Sequence, residues 1–323
     1  MLKAILGAAG RGAAFLALLL VLLIAFGGLM SLFAPADPPG RMVDIGGRRL
    51  HMVCAGPSDA AGPLVVFEAG AFGLSADFGA VQEGLAARGV RSCAYDRAGL
   101  GRSDPGPRPR LSEAIVGDLE ALLKASGEQG PYIVVGHSMA GLHLRMFTAR
   151  NRDRVAGLVL LDAAPPEAAD LPVAKLWIGR FASISRLGGV FASLGLMKPL
   201  APFIGDRIGL PPAAQGEKKR AFGSGRHNRW AAEEVAGWLA SSEQGKATAP
   251  YDPDLPVAVV TAGPVREGPL SGWKEFQSRP GKVSRQGSVL NIAEAGHADM
   301  LGLKHRDVIV DAILRLHRLA SGG

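Results

Sequence analysis

The chain has 323 residues, a formal charge of +7, 48% hydrophobic and 6% aromatic residues, and two cysteines. That length supports one α/β domain carrying an insertion, and the globular composition, without repeats or low-complexity tracts, excludes fibrous and solenoid classes. The densest basic run, "EKKRAFGSGRHNR" at 217–229, lacks the interleaved aromatics of a nucleic-acid groove and reads as a solvated helix face, so no nucleic-acid partner is expected.

From Ala13 to Ala34 the sequence carries no charge, which matches the ~20 apolar residues needed to cross a bilayer. Lys3 and Arg11 precede this run, so the positive-inside tendency leaves the N-terminus in the cytoplasm and everything after Pro35 beyond the membrane. A secreted protein with a cleaved signal peptide is the alternative, because "APA" at 34–36 resembles a cleavage site. Residues 1–40 are thus read as an anchor and a proline-stiffened linker.

The remainder alternates apolar, β-rich runs with helical patterns, which predicts a mostly parallel sheet with helices on both faces. "RMVDIGGRRLHMVCAG" reads as an opening hairpin with a Gly-Gly turn. The expected strands after it are "PLVVFEAG", "VRSCAYD", "PYIVVGHS", "VAGLVLLDA", "LPVAVVTAG" and "SVLNIAEAGH". No strand pattern occurs between Pro165 and about Ala249, where apolar residues recur at helical spacing. Residues 165–249 are therefore expected to form a helical cap, with a core built from 41–164 and 250–323. A cap near the carboxyl ends of the strands is placed to roof a pocket.

In "VVGHSMAGLHLRMF", Ser138 sits where a strand pattern gives way to a helical one, with Gly136 two residues before it and Ala140 two after. Small residues at those distances let strand and helix approach around a strained, exposed side chain. Glycine at both positions is usual; Ala140 departs by one methyl group, and Gly141 is read as supplying the missing room.

From about Arg41 to Ala320 the chain resembles the α/β-hydrolase superfamily. The resemblance rests on "GGRRLHMVCAG", "VVFEAGAFG", "YDRAGLGRSD", "GHSMAG" and "AEAGHADM", occurring in that order. It implies an eight-stranded α/β-hydrolase fold in which Ser138 is the nucleophile and His297, after the last apolar run, is the base. His137 is expected to point away, His143 lies on the helix after Ser138, and His51, His227, His305 and His317 read as surface residues. The oxyanion hole is assigned to the backbone N–H groups of Met139 and Ala71, where the usual His-Gly turn is replaced by Ala69-Gly70.

Two acids compete to orient the histidine. The family usually takes this residue from the loop after the strand following the cap, where only Glu267 is available. Some relatives take it from the end of the strand after the nucleophile helix, where Asp162 stands, and a rigid strand end makes Asp162 the preferred choice. The alternative for Asp162 is a turn residue before Ala-Ala-Pro-Pro, without a catalytic role.

Serine with a neutral imidazole and an anion-binding turn suits acyl transfer, so a carboxylesterase-like serine hydrolase (EC 3.1.1) acting on a small-molecule ester or acyl substrate is expected. Relatives that open epoxides or displace halide use aspartate at this position, against Ser138. A lipase or acyltransferase with the same residues, or a non-catalytic binding module, are the alternatives. No HExxH, CxxC pair or P-loop occurs, so no metal or cofactor is expected. In the family's strand order Cys54 and Cys93 are neighbours, which makes a disulfide feasible outside the cytoplasm, with two free buried thiols as the alternative. Oligomeric state is not legible.

Overall fold

The computed structural model describes residues 2–30, 39–264 and 271–322. The first element is α1 (Leu2–Met30), whose segment Ala9–Gly27 is 19 residues long and apolar enough to cross a membrane. At about 1.5 Å per residue that segment is some 28 Å long, close to the thickness of a hydrocarbon core. The helix starts earlier than the uncharged run suggested, and 31–34 at the far end of that run lie outside the described residues. From Ala9 to Phe26 its side chains are exposed.

The opening hairpin forms as expected: β1 (Arg41–Asp44) pairs antiparallel with β2 (Arg49–Ala55), and Gly46 and Gly47 supply the positive φ values of the turn. β3 (Leu64–Glu68), α2 (Gly79–Ala86), β4 (Ser92–Tyr95), α3 (Ser112–Ser126), β5 (Tyr132–His137), α4 (Ala140–Arg150) and β6 (Val155–Leu161) follow. The segment after β6 holds α5 (Pro172–Ser193), α6 (Ala201–Ile204), α7 (Pro212–Gly223), α8 (Gly225–Ala236) and α9 (Trp238–Lys246). The chain then returns to the sheet through β7 (Val257–Ala262), α10 (Ser271–Val283), β8 (Ser288–Ile292) and α11 (Arg306–Ala320).

The eight strands run in the order β1-β2-β4-β3-β5-β6-β7-β8, antiparallel at β1/β2 and β2/β4 and parallel elsewhere. β3, β5 and β6 are apolar along nearly their whole length because both sheet faces are covered. One face packs Val65, Val135 and Val260 against α2 and α11; the other packs Val66, Val134 and Leu158 against α3 and α4. A third cluster joins Met139 and Leu142 of the turn and helix after β5 to Ile178 of α5 and Trp238 of α9, with Ala71 and Phe181 packed on it.

Register fixes what meets at the carboxyl edge. Glu68 is level with Gly136, and His137 is level with Leu161. The residues just beyond these strand ends, at 69–72, 138 and 162, are therefore brought side by side. At the opposite side of the sheet Cys54 and Cys93 are directly paired across β2 and β4, and their sulfurs are bonded with the Cα atoms 4.0 Å apart.

Candidate active site

β5 runs into α4 through Ser138, whose φ of +56° lies in the left-handed region that residues with a Cβ avoid. Neighbouring backbone holds it there: its amide donates to Leu161 O at 3.1 Å, and its carbonyl accepts from Ala164 N at 2.7 Å and Gly141 N at 3.1 Å. The turn closes because Gly136 is bare. A Cβ there would lie 2.6 Å from Leu144 Cδ1 and 3.2 Å from the Ala140 methyl, so it is Gly136 that accommodates Ala140. Gly141 serves a different purpose from the one expected: a Cβ on it would overlap the Ala164 carbonyl oxygen, so it lets the loop after β6 come close.

The loop after β8 brings His297 over this turn. Ser138 Oγ and His297 Nε2 are 2.9 Å apart, and His297 Nδ1 and Asp162 Oδ2 are 2.6 Å apart. An ionised carboxylate only accepts, so Nδ1 carries the proton; in the neutral ring Nε2 is then free to accept from the serine hydroxyl. Asp162 follows β6 with a φ of +42°, and its amide donates to Val260 O at 2.7 Å. Its second oxygen accepts from Gln277 Nε2 at 3.1 Å and Ala262 N at 3.3 Å. Gln277 of α10 also donates to Ala163 O at 3.1 Å, which braces the same turn. Burial alone would raise the Asp162 carboxyl; the hydrogen bond and charge of His297, with the Ala262 amide, outweigh it and hold it below its ordinary value. Glu267, the other candidate acid, lies outside the described residues.

The turn after β3 abuts the serine. A Cβ on Gly70 would lie 2.8 Å from Ser138 Cβ, so only glycine permits this approach. Arg97, fully buried after β4, donates to Ala69 O at 2.5 Å and to Gly70 O at 2.8 Å. Its charge is met by Glu68, at 2.8 Å, and by Glu234 of α8, also at 2.8 Å. Burial would lower the guanidinium, but the two carboxylates override it and its pKa is raised. Next in the turn, Phe72 has a φ of +56°, and its carbonyl is held by Lys218 Nζ at 3.2 Å and by the His227 ring. Ala71 lies between these two fixed carbonyls. Among the described residues neither its amide nor that of Met139, at the start of α4, donates a backbone hydrogen bond.

Sequence reasoning missed Arg97, Glu68, Glu234 and Gln277. Glu68 did carry a signal, since a carboxylate closing the apolar run "VVFE" must find a partner if buried. The histidines also need correction. His137 does not point away: its Nε2 donates to His297 O at 2.8 Å and the two rings lie 4.6 Å apart, so it supports the loop that carries His297. His51, His227 and His305 are buried rather than surface residues. His51 bonds Asp96 and Pro39 O, His227 accepts from Gly101 N, and His143 is buried beside Ser112. The basic run at 217–229 is not simply a solvated face either: Glu217, Ala221, His227 and Asn228 are buried, and Arg102 and Arg220 both pair with Glu217.

This fold and this juxtaposition at its carboxyl edge define a class. The alpha/beta hydrolase fold family matches residues 63–252, and the chain belongs to that family. It is 28% identical over 243 residues to an uncharacterized protein of Schizosaccharomyces pombe, covering 72% of this chain and 42% of that one. With a probable transporter of Hormonema carpetanum, efuK, it shares 35% identity over 128 residues, 38% of this chain and 18% of that protein. The chain thus spans less than half the length of these curated relatives. Among solved structures, a thermophilic esterase from Thermogutta terrifontis superposes with a TM-score of 0.60 at 20% identity, covering 86% of this chain and 99% of that one. The Cif epoxide hydrolase of Acinetobacter nosocomialis gives 0.68 at 16% identity, over 91% and 96%. At these identities the superpositions speak for the fold alone.

Proposed function

We propose that the protein is a serine hydrolase that cleaves a small-molecule ester through an acyl-enzyme, with Ser138 as nucleophile, His297 as base and Asp162 as orienting acid. The observation that carries this reading is the unbroken hydrogen-bond chain from Ser138 Oγ through His297 to Asp162, at 2.9 and 2.6 Å. In the first half-reaction Ser138 Oγ bonds to the ester carbonyl carbon while its proton passes to His297 Nε2. Asp162, held ionised, stabilises the imidazolium. The carbonyl oxygen becomes an oxyanion facing the N–H groups of Ala71 and Met139, the second at the positive end of α4. The intermediate collapses, the C–O bond breaks, and His297 returns its proton to the departing alcohol. Water then repeats the sequence on the acyl-serine and releases the acid.

The 165–249 segment acts as a cap in this reading. Its Ile178, Phe181 and Trp238 pack over Met139 and Ala71 and shield the developing charge from water. The esterase and epoxide-hydrolase likenesses are both of fold; the chemistry is read from the nucleophile turn, which here offers a hydroxyl and no carboxylate. No metal or cofactor enters any step. α1 is read as the anchor, with the domain on the non-cytoplasmic side, where the Cys54–Cys93 bond is at home.

A fluorophosphonate probe should label native protein and leave Ser138→Ala unlabelled. Native protein that stays unlabelled beside a reactive control hydrolase would sink the enzyme reading and favour a binding module. Rates on p-nitrophenyl esters of increasing chain length would then define the acyl preference.

A further inference from the structure

α5 turns Ile178 and Phe181 onto Met139 and Trp238, but along the rest of its inner side it packs with small side chains and leaves most of its large ones outward. Ala174, Ser185, Gly189 and Ala192 are buried, and Gly189 meets the α8 backbone at Asn228 and Arg229. On the other side Leu176, Trp177, Ile184, Leu187, Phe191 and Leu194 are 43–68% exposed. Trp177 lies beside Leu176, and from Trp177 on the separations are seven, three, four and three residues, which keeps them on one stripe. Beyond the following turn Phe203 stands 83% exposed. Covering a soluble core does not call for six large apolar side chains on the solvent side as well, so a contiguous patch of this kind is a contact surface.

Two observations say what covers it. The first is where the membrane-length segment ends: Gly27, its last residue, is buried against the turn after α5, where an added Cβ would lie 3.0 Å from Gly195 O and from Lys198 Cβ. The end of the span, where headgroups lie, is thus fixed beside the stripe. The second is charge. From Leu171 to Gly205 there is no Asp or Glu, while Lys175, Arg180, Arg186 and Lys198 are cationic. Arg180 falls within the stripe, between Trp177 and Ile184, where its alkyl stem can lie along the apolar surface and its head reach phosphate.

The geometry points to the outward face of α5, with Phe203, as a membrane-docking surface seated at the headgroup–acyl boundary of an anionic bilayer. This rests on α1 being the anchor. It also defines the substrate class of the proposed site. Trp177 stacks on Phe181 at 5.2 Å, and Phe181 faces Phe72 at 6.2 Å, one residue from Ala71. A line of rings therefore leads from the docking face to the nucleophile turn. An ester whose acyl chain resides in the bilayer can follow it without crossing water.

The test places single nitroxide labels on the full chain in phosphatidylcholine–phosphatidylglycerol vesicles. Both native cysteines are in the disulfide, so only an introduced thiol reacts. Labels at Ile184→Cys and Leu187→Cys should collide with oxygen in preference to an aqueous nickel chelate, by a ratio several-fold above that of Asp311→Cys on exposed α11 surface. A label at Leu19→Cys reports α1 separately. Aqueous labels on α5 with a lipid-exposed Leu19 label would overturn docking and leave the anchor standing; aqueous labels at all three would overturn both. Dipolar broadening between Ile184→Cys labels of different molecules would assign the stripe to a second copy of the chain and overturn the lipid assignment. None of these readouts depends on turnover, so they stand apart from the fate of the hydrolase reading.

Discussion

Arg97 donates from Nη2 to Gly70 O at 2.8 Å, and the peptide group that begins with that carbonyl ends with the Ala71 N–H. In a trans peptide the two point in opposite directions, so fixing one aims the other. A cation on the carbonyl also polarises the N–H as a donor. Arg97 is therefore a positioning residue for the proposed oxyanion hole, acting from outside the reacting atoms.

The prediction is that Arg97→Lys, which keeps the charge but loses the planar fork, lowers kcat about tenfold or more with KM changed little, because the effect falls on transition-state charge. Active-site titration must accompany the measurement. If kcat per titrated site is unchanged and only the folded fraction falls, Arg97 is purely structural.

Asp162→Asn should lower turnover by two or more orders of magnitude in folded protein, since an amide there favours the wrong imidazole tautomer. Glu267→Gln should have a small effect. Gln277→Ala belongs with this pair: losing a donor to the carboxylate should cost a few-fold in kcat, far less than Asp162→Asn. A large loss for Glu267→Gln with a mild one for Asp162→Asn would move the acid to the later loop.

Removing the disulfide with Cys54→Ala and Cys93→Ala together should destabilise the domain by about 2–4 kcal/mol, as for a loop of this length. Denaturant midpoints before and after reduction of native protein should show the same loss. Two alkylatable thiols in unreduced, exported protein would contradict the bond.

That Ser138, His297 and Asp162 would meet was legible because each follows an apolar strand run: Asp162 directly, Ser138 between Gly136 and Ala140, and His297 five residues past β8, after Gly296. The strands were legible for the same reason, their runs being continuous where both faces are buried. Arg97 was not, although it sits in the quoted "YDRAGLGRSD", because its partners Glu68 and Glu234 lie 29 and 137 residues away. Nothing local distinguishes a buried arginine from a solvated one. His227 shows the same limit from the other side. Its basic neighbours suggested solvent, while packing of α8 on the loop after β4 placed it inside. The direction in which α5 turns its large side chains was equally hidden, since periodicity reveals a stripe but not which side the protein covers.

Buried histidines give the last prediction. His137 and His227 are both pushed down to about 3: burial dominates in each, reinforced by the charge of His297 for the first and of Lys218 for the second. Burial also lowers His143, with Arg97 and Arg110 adding to it. Between the unfolded value of about 6.5 and their folded values, the unfolded chain takes up protons that the native protein refuses. The native state then binds fewer protons, so stability rises with pH across that window and falls on acidification, by about 1.4 kcal/mol per pH unit for each such histidine. His51 has the opposite sign. Burial would lower it, but Asp96 and the Pro39 carbonyl override that and raise it, so its contribution is complete below the unfolded pKa and lost as pH rises through the folded one. Replacing His227 isolates one proton. His227→Asn can still accept from Gly101 N, and although it costs stability at neutral pH, it should flatten the dependence of unfolding free energy on pH between about 6 and 4 by about 1.4 kcal/mol per unit. Denaturant titrations of both proteins across that range decide the matter, and parallel slopes would show that His227 takes up its proton while folded.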